Sequence, residues 1–121
     1  MLNSNLGFVL LFVTNPQKSA EFYQQIFGLK PVEISPTFAM FPLANGVMLG
    51  LWSKYTAEPQ VTAPAGAMDI GFPVDDVDAM YDSLGAQQVT IVQKPTDMDF
   101  GRTFVLLDPD GHRIRVYKLH A

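Results

Sequence analysis

Two copies of one strand–helix–strand pattern run along this chain. Residues 8–13 (FVLLFV) read as a strand, a helical stretch follows and stops at Gly28, and 37–43 and 47–53 are further strands. After residue 66 the order restarts with DIGFPV, the helical DDVDAMYDSLGAQ stopped at Gly85, VTIVQKP, and a hairpin of TFVLLD and RIRVYK. "VTNP" lies against "VDDV", "FGL" against "LGA", and "LANGVMLGLW" against "LDPDGHRIRV". A repeat of this length decides architecture before any single motif does. Each copy is a βαβββ unit. The expected fold is therefore α+β, with two βαβββ modules forming a curved antiparallel sheet cup and helices outside. Module 1 spans about 5–56, a linker about 57–66 and module 2 about 67–119, in one domain covering 1–121.

Local signals support these elements. Asn15 or Thr14 can cap the first helix, Pro16 suits its first turn, and Gly28 suits its C-terminal stop. Asp75, Asp76 and Asp78 put negative charge at the start of the second helix, where the helix dipole favours it. "ANG" and "PDG" are hairpin turns. The stretch 94–102 reads as a loop and KYTAEPQVTAPAG as a linker.

Composition narrows the function classes. Of 121 residues, 48% are hydrophobic and 17% charged, as in an ordinary globular domain. The net charge of −4 argues against a nucleic-acid surface. With no cysteine there is no disulfide framework or thiol chemistry. FVLLFV is too short to span a membrane and lacks the flanks of a secretory signal, so a cytoplasmic protein is expected.

Strand alternation sorts the side chains. With Val9, Leu11 and Val13 facing a helix, the opposite face takes Phe8, Leu10 and Phe12, then Phe38 and Met40, then Met48, Gly50 and Trp52. In the second copy it takes Asp69 and Gly71, Thr103 and Val105, and Arg115 and Tyr117. Trp52 is the single tryptophan. It either packs the core or, beside the open backbone of Gly50, offers a plane for a flat ligand. Phe8, Phe38, Met40, Met48 and Tyr117 read equally as cup filling or ligand wall; Leu10 and Phe12 read as core. Arg115 needs a counter-charge: either Asp69 or a ligand carboxylate. Arg102 on its loop is a solvated charge or orients a polar substituent, with Met98 and Phe100 as lid or cleft edge.

The duplicated unit, with "SAEFYQQIFGL" in the first half and "DPDGHRIRVY" in the second, resembles the vicinal oxygen chelate superfamily of glyoxalases, extradiol dioxygenases and bleomycin-resistance proteins. The resemblance covers essentially the whole chain. It implies metal ligands at four positions, which here are Phe8, Gly50, Asp69 and Arg115. Only Asp69 could ligate; His112 in a tight turn and His120 near the end do not make up the set. No metal or other cofactor is therefore expected. "SPTFAMF", "MLGLW", "AEP" and "MDFGRTFVLLDPDGHRIRV" are most similar to phenazine antibiotic resistance proteins. This implies a homodimer that binds and sequesters a small planar aromatic antibiotic without catalysis, conferring resistance. The ligand residues implied are Trp52, Phe38, Met40, Met48, Gly50, Phe8, Phe100, Arg102, Arg115, Tyr117 and Asp69. The alternative is a glyoxalase- or dioxygenase-type enzyme acting on a small molecule.

Overall fold

The computed structural model describes residue 1 and residues 3–121. The chain divides into two compact units, Met1–Ala65 and Gly66–Ala121. Unit 1 contains β1 (Phe8–Val13), α1 (Pro16–Phe27), β2 (Glu33–Ile34), β3 (Phe38–Pro42) and β4 (Met48–Ser53). Unit 2 contains β5 (Asp69–Pro73), α2 (Val77–Gly85), β6 (Thr90–Met98), β7 (Gly101–Leu107) and β8 (Arg113–Leu119). The α+β class and both βαβββ modules are as expected. Among the described residues, no helix is long and apolar enough to cross a membrane.

Each unit has its own four-stranded sheet, ordered β1-β4-β3-β2 and β5-β8-β7-β6. The expected antiparallel pairing is corrected at one place per unit: β1 runs parallel to β4, and β5 parallel to β8. The helix explains this. A strand–helix–strand crossover starts the next strand at the same end as the first, and two hairpins later the chain runs that way again.

The helices begin and end where local chemistry directs. The Asn15 side-chain oxygen accepts hydrogen bonds from the backbone N–H groups of Gln17 and Lys18, at 3.1 and 3.2 Å. Gly28 ends α1 at φ 67°, a left-handed conformation that glycine adopts without a Cβ penalty. Asp76 caps α2 by accepting from the Ala79 N–H at 3.0 Å.

Alternation then divides each sheet into two faces. In unit 1, Leu11, Val13, Ala39, Phe41, Leu49 and Leu51 are fully buried on the side of α1. The Tyr23 and Phe27 rings of α1 meet Phe41 at 6.4 and 6.2 Å. In unit 2, Phe104, Leu106, Ile114 and Val116 are buried on the side of α2, with Tyr81 edge-on to Phe104 at 5.3 Å.

Two boundaries differ from the sequence reading. The stretch 94–102 is strand rather than loop: Thr96, Asp97 and Met98 pair with Thr103, Arg102 and Gly101, and only Asp99 and Phe100 turn between β6 and β7. Register shifts along β6 had masked its alternation. The two-residue β2 is too short to show any period.

Candidate functional site

Three rows of paired residues cross the helix-free face of unit 1. Met48 is flanked by Phe8 and Pro42, Gly50 by Leu10 and Met40, and Trp52 by Phe12 and Phe38. Eight of these nine side-chain positions hold apolar side chains, and the ninth is glycine. Phe8 and Leu10 are exposed, and Phe12, Phe38, Met40, Met48 and Trp52 are half-buried. The structure thus brings Phe8, Phe38, Met40, Met48, Gly50 and Trp52 together on one apolar sheet face. Leu10, read from sequence as core, is instead 38% exposed here because no helix covers this side of the sheet.

Trp52 is the widest ring on this face. Phe38 meets it edge-on at 6.4 Å and 88°, and Phe12 lies tilted at 6.3 Å and 34°. Both arrangements are favourable for aromatic rings. Gly50 needs a correction. Its backbone does not lie open: a Cβ placed there would stand 2.6 Å from Leu10 Cδ2, 2.8 Å from Phe8 Cε1 and 3.1 Å from Phe38 Cζ. The missing side chain lets neighbouring side chains close over the strand. All three near atoms are ends of side chains, so the cover can move by rotation.

The corresponding face of unit 2 has a different chemistry. Its rows are Asp69–Arg113–Leu107, Gly71–Arg115–Val105 and Pro73–Tyr117–Thr103. The Asp69 carboxylate pairs with Arg115 at 3.2 Å, and Arg113 approaches the same oxygen at 3.3 Å. Arg115 Nη1 also donates to the Thr103 hydroxyl at 3.4 Å, and that hydroxyl donates to the Val116 carbonyl at 2.8 Å. The Tyr117 ring lies over Gly71, whose added Cβ would be 3.0 Å from the ring. Asp69, Arg115 and Tyr117 therefore share one face. Arg113 was missed in the sequence reading, although its alternation with Arg115 and Tyr117 was there to be read.

Two predicted site residues lie elsewhere. Arg102 is on β7, in alternation with Phe104 on the helix side, and not on a loop. Its guanidinium donates to both Asp78 oxygens at 2.9 and 3.0 Å and to Asp97 at 3.1 Å, so it is not a free solvated charge. The hydrogen bond from Arg102 holds the Asp78 carboxyl below the usual carboxylate range. In return, the bonds to Asp78 and Asp97 hold Arg102 above its ordinary value. Phe100 is exposed in the β6–β7 turn, near Met98.

Residues 5–116 match the Glyoxalase/Bleomycin resistance protein/Dioxygenase superfamily. The chain belongs to that superfamily. It is similar to the phenazine antibiotic resistance protein EhpR of Enterobacter agglomerans, with 35% identity over 115 residues covering 91% of this chain and 88% of that protein. It is also similar to the metallothiol transferase FosB of Lysinibacillus sphaericus, with 27% identity over 123 residues covering 97% and 84%. The superfamily therefore includes an enzyme among the relatives of this chain. A solution NMR structure of an Agrobacterium tumefaciens protein has the same fold: TM-score 0.85, 42% identity, covering 98% of this chain and 100% of that one.

The superfamily's metal positions can now be tested against the residues that fill them. Phe8 and Gly50 have no ligating side chain, and Arg115 is a cation. Asp69 is engaged by two guanidinium groups. Among the described residues, no group of three or more His, Cys, Asp or Glu side chains is placed to hold a metal ion. This donor set does not fit a divalent cation, which requires several deprotonated ligands.

Proposed function

We propose that this protein binds and sequesters a small, planar aromatic antibiotic of the phenazine type, independently of metal and without making or breaking a bond. The observation that carries the reading is Trp52, half-buried on an apolar sheet face that no helix of its unit covers. An exposed cluster of large apolar side chains on a small domain is a mark of a binding surface. Trp52 supplies the stacking plane; Phe8, Phe38, Met40 and Met48 supply the walls. Methionine suits that role because its flexible thioether adapts to varied aromatic shapes. Gly50 acts indirectly, by letting Phe8, Leu10 and Phe38 lie close to the strand and swing away when a ligand enters. Phe100 offers a further apolar contact at its turn. Arg102 contributes through its ties to Asp78 and Asp97. The similarity to a phenazine antibiotic resistance protein supports the same ligand class and a resistance role. The working form in this proposal is a homodimer in the cytoplasm.

Titration with phenazine-1-carboxamide, followed by Trp52 fluorescence and calorimetry, tests the reading. Binding with quenching is expected, and Trp52→Ala should weaken affinity about tenfold or more while the protein stays folded. Absence of binding, or unchanged affinity in folded Trp52→Ala, would overturn the stacking reading. Recovery of chemically altered phenazine would replace sequestration with catalysis. Light scattering checks the dimer; a monomer at all accessible concentrations would remove it from the proposal.

A further inference from the structure

The helix-free face of unit 2 carries a charge excess that its own residues do not cancel. Across the three rows of β5, β7 and β8 stand two guanidinium groups, Arg113 and Arg115, and one carboxylate, Asp69. Both arginines converge on the same Asp69 oxygen, at 3.3 and 3.2 Å. One full positive charge is left over.

The two arginines are held differently. Arg115 has a side chain only 20% exposed and is fixed at two points, by Asp69 and by the Thr103 hydroxyl. That hydroxyl is itself anchored to the Val116 carbonyl. Arg113 is 51% exposed and engages Asp69 through Nε. A guanidinium presents five N–H donors in a planar fork and suits two-point recognition of a carboxylate. A pre-positioned cation beside a mobile one of the same sign favours an arriving anion. Val105, Leu107 and the Tyr117 ring share the rows and provide apolar surface around the charge.

We infer that the ligand is an aromatic acid, and that Arg115 and Arg113 recognise its carboxylate on the helix-free face of unit 2. The inference rests on the reading above for the ring and adds the ligand's charge. Arg115 is the fixed donor, oriented by Asp69 and Thr103. Arg113 closes on the second carboxylate oxygen. Asp69 keeps the pair together in the absence of ligand.

Calorimetry with phenazine-1-carboxylate and phenazine-1-carboxamide, the same ring with and without the charge, tests this. The carboxylate should bind about ten- to a hundredfold more tightly, as expected for a hydrogen-bonded charge. The Arg113→Gln, Arg115→Gln double variant should lose that advantage and keep its affinity for the carboxamide, which also reports that the variant is folded. Equal affinity of the two probes for the unaltered protein would overturn the acid and leave the ring reading intact. An advantage that survives in the double variant would overturn the role of these arginines. Binding of neither probe would overturn the ring reading, and the inference with it.

Discussion

One βαβββ plan has two chemistries in this protein. The central strand of the helix-free face reads Met48, Gly50, Trp52 in unit 1 and Arg113, Arg115, Tyr117 in unit 2. Each trio is flanked in the same topological order, by β1 and β3 in unit 1 and by β5 and β7 in unit 2. Where unit 1 has a glycine overlain by Leu10, Phe8 and Phe38, unit 2 has an arginine tied to an aspartate. The helix-covered faces differ far less: Leu11, Leu49 and Leu51 in one, Ile114, Val116 and Leu106 in the other. The fold depends on the covered faces, which must remain apolar to bury their helices. The open faces are released from that demand and have diverged.

The largest expected effect tests that division on the covered side. Leu51→Ala and Ile114→Ala should each destabilise the protein by about 2–5 kcal/mol, the usual cost of truncating a buried aliphatic side chain. Denaturant unfolding measures both. If either costs no more than an exposed substitution, the two covered faces are not equivalent supports of the fold.

A transplant between the open faces comes next. Gly50→Arg gives unit 1 the residue that occupies the matching place in unit 2. The new side chain displaces the ends of Leu10, Phe8 and Phe38 and brings an unpaired charge to an apolar surface. Affinity for the neutral phenazine-1-carboxamide should fall about tenfold or more, reflecting lost aromatic contact and the cost of an unpaired charge. Unchanged affinity in a folded variant would mean that the apolar character of this face does not govern ring binding.

The smallest effect concerns acid stability in unit 2. Asp78 has its pKa depressed in the folded state by the hydrogen bond from Arg102. A depressed carboxylate contributes stability that is fully present above its unfolded pKa and is lost as pH falls through its folded value. Asp78→Asn should therefore flatten the acid end of the stability–pH profile and change little near neutrality relative to that slope. The pair is exposed, so the change will be modest. Melting temperatures recorded across the acid range check it; an unchanged acid slope would show that the ion pair does not survive in solution.

Much of this was legible in the residues. Asn15, Pro16 and Gly28 bracket α1 because capping and left-handed backbone are local demands. Alternation correctly put Phe38, Met40, Met48, Gly50 and Trp52 on one face, since β3 and β4 pair without interruption. It failed along β6, where two register shifts break the period. The ion pairs of Arg102 were also hidden, because Asp78 lies 24 positions away on a helix.

The sequence by itself determined the duplication, the two helices and the sorting of side chains on the regular strands, all of which follow from short-range periodicity. Only the tertiary structure decided that β1 and β5 pair in parallel with β4 and β8. It alone also showed Gly50 covered by its neighbours and Asp69 shared by two arginines. Those outcomes depend on which side chains meet across strands far apart in the chain, and no local pattern encodes that meeting.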